Sequence, residues 1–185
     1  MSEHGITHSR SQALVDFAYR FAKEAHGDQK RKYTGDPYIT HPVRVAQLVA
    51  AVTDDVEMIC AALLHDVVED TEVTIGDIDS AGFGVSIAIL VNDLTDISKP
   101  SDGNRATRKH IDRMHTAQAS RRAKTVKLAD LIDNSCSIVV YDPDFARVYM
   151  HEKEALLEHL KEGDPTLYAL AYQIVMEYKD AKNPR

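Results

Sequence analysis

MICAALLHDVVEDTEVT, residues 58–74, is apolar enough to read as one buried helix, yet it carries His65, Asp66, Glu69 and Asp70. Burying an imidazole and three carboxylates along a core helix is costly unless positive charge compensates them. At about 100° per residue, His65 and Glu69 fall on nearly one line of such a helix, with Asp66 and Asp70 on a second line beside it. All four then point to one side, and a divalent metal is the simplest source of the missing charge.

Two further residues complete a ligand set. His41, in PYITHP (37–42), ends a polar turn just before Pro42 opens the next helix, and Asp130, in VKLADLIDN (126–134), is a carboxylate set into an apolar helical stretch. His41, His65, Asp66 and Asp130 form a mixed nitrogen and oxygen set, suited to one borderline-hard ion such as Mn²⁺ rather than to a thiolate zinc site. Glu69 and Asp70 stand one turn further on, where an acid or base acting on an activated water belongs. Read singly, each residue has a plainer explanation: His65-Asp66 as a solvated polar edge, Asp130 as a buried hydrogen-bonding group. Together and in this order they favour the metal.

The 185 residues suffice for one domain, covering 1–185, that buries roughly 70% of its unfolded surface. With 44% hydrophobic and 28% charged residues the composition is that of an ordinary soluble chain. No apolar run reaches the ~18 residues of a membrane span, and MSEHGITHSRSQ at the N-terminus lacks the apolar centre of a signal peptide. Cys60 and Cys136 each fall in an apolar helical run and read as small core hydrophobes, which with no pairing pattern predicts a reducing, cytoplasmic setting. A net charge of -7 argues against a nucleic-acid binder. From Asp54 to Asp96 there are eleven acidic residues and no lysine or arginine, whereas Ile97 to Lys127 holds nine basic residues against Asp102 and Asp112. An acidic half can hold a cation while a basic segment meets a phosphorylated small molecule; as individual residues, most of these charges read as solvated helix faces.

The pattern is helical nearly throughout and predicts an all-α fold. Leu14, Phe17, Ala18, Phe21, Ala22 and Ala25 recur at the spacing of an amphipathic helix. Residues 28–40, with Gly35-Asp36-Pro37, predict a turn or short hairpin. Helices are expected over about 42–53, 55–69, 75–80 (capped by Thr74), 84–95, 105–119, 121–140, 143–162 and 166–181, with 97–104 as a mobile loop.

The chain resembles the HD-domain hydrolases, specifically the pyrophosphohydrolase domain of the RelA/SpoT enzymes and the stand-alone small alarmone hydrolases. The resemblance is carried by AKEAHGDQKRK (22–32), DPYITHPVRVAQLV (36–49), ALLHDVVEDTEVTIGDI (62–78), FGVSIAILVNDLTD (83–96) and VKLADLIDN (126–134). It implies a single HD-domain bundle of about eight to ten helices, with His41, His65, Asp66 and Asp130 as metal ligands and Glu69-Asp70 as the catalytic pair. It further implies that Arg31, Lys32 and Tyr38 line a nucleotide pocket, that Asn134 contacts ribose or phosphate, and that Ser137 stands where the family often has threonine. Lys127, three residues before Asp130, is a phosphate contact or a rim charge. His26 matches the family's His-x-x-Gln and is expected to be structural and near the site; His4 and His8 read as part of a frayed terminus, and His110, His115, His151 and His159 as solvated.

The chain also departs from the family. It has Asn92-Asp93-Leu94-Thr95-Asp96 where relatives commonly have Gly-Val-Thr-Lys, RKYTGDPYITH is one residue longer than in some relatives, and 97–125 follows no family pattern. The chain ends soon after the hydrolase region, which predicts a hydrolase without a synthetase domain. The leading expectation is metal-dependent removal of pyrophosphate from the 3′-position of guanosine 3′,5′-bis(diphosphate) and its pentaphosphate form. One alternative is an HD-type nucleotide phosphatase releasing monophosphate, for instance from NADPH or a nucleoside monophosphate. The other is a catalytically silent, nucleotide-sensing HD domain. The expected partner is a small-molecule nucleotide, with no nucleic acid and no membrane; a homo-oligomer is compatible with the sequence.

Overall fold

The computed structural model describes residues 3–182, with side chains from Arg10 onward. Their order is α1 (Glu3–His26), α2 (Thr40–Ala50), α3 (Val56–Leu64), α4 (Val67–Asp70), α5 (Ile75–Ile78), α6 (Val85–Leu94), α7 (Arg105–Gln118), α8 (Arg121–Tyr141), α9 (Pro143–Leu157) and α10 (Pro165–Lys182). The fold is all-α, as the periodicity predicts. Among the described residues the only β pairing is an isolated antiparallel bridge, Lys30 to Pro37, within the expected 28–40 hairpin. None of the described helices is long and apolar enough to cross a membrane. The side chains of His4 and His8 lie outside the description.

Side-chain caps set most helix starts. Asp55 accepts from the amides of Glu57 and Met58, Ser120 from Ala123, and Asp142 from Phe145 just ahead of Pro143. Thr74 and Asp77 cap α5 reciprocally, as Thr74 predicts. The expected 97–104 loop is anchored at its start. The amides of Ile97 and Ser98 donate to Asp112 Oδ1 and the Ser98 hydroxyl donates to Asp112 Oδ2, so one buried carboxylate on α7 orders the chain before it.

The core is built around α3 and α8. Met58 and Cys60 to Leu64 are buried on α3, and α8 packs against α2, α3, α6, α9 and α10. A helix so enclosed must bury nearly every face. Leu128, Leu131, Val126 and Ala129 do so, and the polar Asp130, Asp133 and Lys124 are buried with them. Toward its C-terminus α8 emerges, leaving Cys136 exposed, contrary to the core role expected of it; Cys60 is buried. The basic segment does not merely face solvent. Arg122 binds Asp55 at 2.7 Å and Glu57 at 2.8 Å, so part of the acidic half is neutralised from α8.

Gly163 sets the approach of the α9–α10 turn to α8. A Cβ there would lie 2.7 Å from Leu128 Cδ1 and 3.2 Å from both the Leu160 carbonyl oxygen and the Lys124 carbonyl carbon. Leu128 is fully enclosed and cannot swing away. Gly163→Ala should therefore cost about 1–3 kcal/mol through overpacking, read as a lower urea midpoint with an unchanged slope.

Candidate metal centre

Three separate elements deliver the central side chains. The 27–40 turn is fixed by backbone bonds from Arg31 to Asp36 and from Tyr38 to Gln29, each 2.9 Å, and it launches α2 so that His41 enters the core. His65 and Asp66 lie at the junction of α3 and α4, which interrupts the continuous 55–69 helix expected from the sequence. Adjacent residues of an intact helix do not face each other. Asp66, at φ −97° and ψ −7°, leaves the regular helix, and its Oδ1 comes 3.2 Å from His65 Nε2. The break is what lets neighbouring residues converge. Asp130 arrives from the buried middle of α8.

His41 Nε2 lies 3.4 Å from Asp66 Oδ2 and 3.2 Å from Asp130 Oδ1, and His65 Nε2 lies 3.7 Å from the same Asp130 oxygen. Both rings are almost fully buried, at 0% and 1% exposure. Each Nδ1 is engaged: His41 with Asp133 Oδ2 at 2.7 Å, His65 with the Ala62 carbonyl at 2.8 Å. Those acceptors require hydrogen on Nδ1, which in the neutral ring leaves a lone pair on Nε2. Both Nε2 atoms are buried without a hydrogen-bond partner and point among carboxylate oxygens. Acceptor facing acceptor in a dry site is unfavourable, so each Nε2 calls for positive charge between it and the carboxylates, from a proton or from a metal ion. The donor set therefore fits a divalent metal. His41, His65 and Asp66 have one ligand atom each within 4.8 Å of one another, and Asp130 stands beside them.

The electrostatics follow from this crowding. Burial disfavours protonated His41, but the carboxylates of Asp130, Asp133 and Asp66 outweigh it and raise its pKa to about 9. His65 is likewise raised, against burial, by Asp66 and Asp130. Asp66 and Asp130 are held well below the carboxylate range despite burial, Asp66 chiefly by His65 and His41, Asp130 chiefly by Lys127 and the two imidazoles.

Most of the remaining sequence-predicted residues gather here. Tyr38 donates to Asp66 Oδ2 at 2.7 Å, and the Asn134 amide donates to Asp130 Oδ1 at 2.7 Å. Lys127 Nζ lies 3.5 Å from Asp130 Oδ2. Arg31 donates to Asn134 Oδ1 at 2.9 Å and to Ser137 Oγ at 3.5 Å, with its guanidinium carbon 5.7 Å from the Tyr38 ring centre. Lys32 is not brought to the group. Its side chain is 74% exposed and donates to Tyr33 and Asp142. His26 stays outside the metal group, bound to Gln29 through Nδ1 and packed on Tyr38.

Glu69 and Asp70 diverge instead of sharing one side with the ligands. Glu69 accepts from the Asp96 amide at 3.2 Å. Its carboxylate reaches solvent, but inside a concave wall, where burial and the charge of Asp96 raise its pKa to about 7. Asp70 lies toward Tyr38, whose hydroxyl is pushed up by burial and by the charges of Asp66 and Asp70. Glu69, Asp96, Arg105, Arg108, Lys109 and Asp112 line a cleft of about 530 Å³. A smaller cavity shares Asp96, Lys109 and Asp112 and is also lined by Lys127 and Lys153.

Sequence reasoning missed Asp133, Arg44 and the Asp96–Lys109–Asp112 cluster. A spacing of three was the available signal: Arg44 follows His41, and Asp133 follows Asp130, each one turn along the same helix.

An all-helical chain that buries two unpartnered imidazole nitrogens against aspartates has the architecture of an HD domain. A family model described as HD domain matches residues 18–155, and the chain belongs to that family. Among curated relatives, a guanosine-3′,5′-bis(diphosphate) 3′-pyrophosphohydrolase of Aquifex aeolicus is 41% identical over 127 residues, 69% of this chain and 18% of its own. The bifunctional (p)ppGpp synthase/hydrolase SpoT of Escherichia coli K12 is 34% identical over 179 residues, 86% of this chain and 25% of its own. The chain thus spans 18% and 25% of the length of these two relatives. The solved structure of a metazoan ortholog of SpoT, described as hydrolysing ppGpp, superposes with a TM-score of 0.80 at 29% identity, covering 89% of this chain and 95% of that one. The resemblance read from the sequence is borne out.

Proposed function

We propose that residues 1–185 form one hydrolase domain that removes pyrophosphate from the 3′-position of guanosine 3′,5′-bis(diphosphate) or its pentaphosphate form, yielding GDP or GTP. The observation that carries this reading is the pair of buried, unpartnered Nε2 atoms beside Asp66 and Asp130; a cleft of mixed charge, with Arg105, Arg108 and Lys109 on its wall, lies on the Glu69 side. Support for the substrate comes from the relatives, whose named activities concern this nucleotide. His41, His65, Asp66 and Asp130 hold one divalent ion, with Mn²⁺ favoured over Mg²⁺ by the two imidazoles. When bound, the ion supplies Lewis acidity, lowering the pKa of water and offsetting phosphate charge.

The chain's own residues do the rest. Glu69, poised near neutrality on the cleft wall, accepts the proton of the attacking water. Asp70 relays a proton taken up from solvent to the leaving ribose oxygen as the bond from phosphorus to that oxygen breaks, and Glu69 releases the proton it took from water back to solvent. Tyr38 fixes the Asp66 carboxylate, and Lys127 offsets negative charge next to Asp130. Arg31, with Asn134 and Ser137, receives the nucleoside end, while Arg105, Arg108 and Lys109 attract the phosphates into the cleft. Lys32 contributes a charge at the rim. The setting we propose is the cytoplasm, where such nucleotides are found.

Incubation with a panel of guanosine 3′,5′-bis(diphosphate), its pentaphosphate form, NADPH and nucleoside monophosphates tests the substrate. The expected products are GDP or GTP with pyrophosphate; orthophosphate from another member would favour the phosphatase alternative. Arg31→Ala should raise KM at least ~10-fold, as loss of a charge-assisted contact worth ~1.5–3 kcal/mol implies. Lys32→Ala should change it little. Equal effects of the two would contradict the geometry.

A further inference from the structure

The two imidazoles are held in different ways. His65 Nδ1 is bound by the neutral Ala62 carbonyl, part of its own helix. His41 Nδ1 is bound by the buried carboxylate of Asp133, whose other oxygen accepts from Arg44 Nε at 2.5 Å; Arg44 Nη2 also reaches Oδ2 at 3.2 Å. Arg31 Nη2 lies 3.8 Å from that same oxygen. One turn of α8 thus holds both edges of the His41 ring, Asp130 beside Nε2 and Asp133 on Nδ1. One turn of α2 carries both the ring and the arginine that locks the carboxylate.

We infer that Asp133 is a positioning residue for His41, and that Arg44 is the residue that keeps Asp133 in place. The inference rests on the reading of His41 as a metal ligand. An ionised carboxylate only accepts, so it demands hydrogen on Nδ1 and leaves Nε2 as the electron-pair donor toward the ion. It also makes the imidazole a stronger donor than a neutral carbonyl does. The Arg44 fork bonds both oxygens of the carboxylate and fixes its plane. Arg44 is 43% exposed on its side chain, so its planar fork, and not deep burial, does the orienting.

The test measures Mn²⁺ affinity by chelator competition on the full chain, as wild type, Asp133→Asn, Asp133→Leu and Arg44→Met, with circular dichroism confirming the fold. Asp133→Asn and Asp133→Leu should bind Mn²⁺ ~10–100-fold more weakly. Arg44→Met separates positioning from simple charge. It makes the surroundings more negative, so a purely coulombic role for Asp133 predicts tighter Mn²⁺ binding, whereas positioning predicts binding several-fold weaker. Long-range proton–nitrogen correlations of the imidazoles in Zn²⁺-loaded protein give an independent readout. Wild type should show the His41 Nδ1–H shifted downfield and protected from exchange by its bond to the Asp133 carboxylate, and Asp133→Leu should lose both. Unchanged affinity in the Asp133 variants, or tighter binding by Arg44→Met, would overturn the inference alone. A wild type that binds no divalent metal would overturn the reading beneath it as well.

Discussion

Protein stripped of divalent metal is expected to show no turnover above background, and His65→Ala is expected to behave as stripped protein even in excess Mn²⁺. The reason lies in how little else in the site can offset charge. Asp66 and Asp130 remain ionised, the leaving group is a polyanion, and Lys127 is already paired with Asp130. Glu69, with a pKa of about 7, is too weak a base to ionise ordinary water unless a Lewis acid lowers the water's own pKa. Re-addition of Mn²⁺ to stripped wild type should restore activity better than Mg²⁺. Binding should also register as stability. Mn²⁺ at ~100 times its Kd adds about 2.7 kcal/mol, which at roughly 2–4 °C per kcal/mol raises Tm by about 5–10 °C. His65→Ala should lose that gain. A stripped enzyme that still turns over would sink the account.

Glu69→Gln and Asp70→Asn should each lower kcat by about 10²-fold or more while leaving metal content intact, as expected for lost acid–base help. Neither carboxylate approaches the imidazole nitrogens as Asp66 and Asp130 do. The pH profile carries the sign. A base works in its deprotonated form, so with Glu69 near pKa 7 the rate should climb with pH through about 7 and level off above it. Glu69→Gln should lose that limb. Stability runs the other way. Because the folded protein raises this pKa, the contribution of Glu69 is fully present below the unfolded value and is lost as pH rises through about 7. Metal-free Glu69→Gln should therefore gain on wild type in Tm between pH 5 and 8. Both variants retaining near-normal rates would remove these two residues from the mechanism.

Much of the helix plan is local and was readable for that reason. The Leu14 to Ala25 stripe lies within α1, and Thr74 caps α5 through a bond to a residue three positions away. The ligand types were equally readable, since ionisable groups inside apolar runs need an explanation wherever they fold. What depended on distant partners was not. The break at His65-Asp66, where the pair meets His41 and Asp130, is announced by nothing in 58–74. The start of the 97–104 loop, Ile97 and Ser98, is held by Asp112, a carboxylate that reads as surface charge until its hydrogen bonds are seen. Arg31 and Lys32 look equivalent in sequence, yet Lys32 lies in a turn and bonds to Tyr33 and Asp142, whereas Arg31 bonds to Asn134, more than a hundred residues away. Asp133 was passed over because its role depends on a helix ninety-two residues earlier.

The most direct test of the account is hydrolysis of guanosine 3′,5′-bis(diphosphate) by Mn²⁺-loaded protein in ¹⁸O-labelled water, with both products weighed by mass spectrometry. Water adds to the phosphorus bonded to the 3′-oxygen, and that oxygen leaves with the nucleoside and takes up a proton. The account predicts equimolar GDP without label and pyrophosphate carrying one ¹⁸O. Labelled orthophosphate in place of pyrophosphate, or an intact nucleotide after prolonged incubation with bound Mn²⁺, would contradict it.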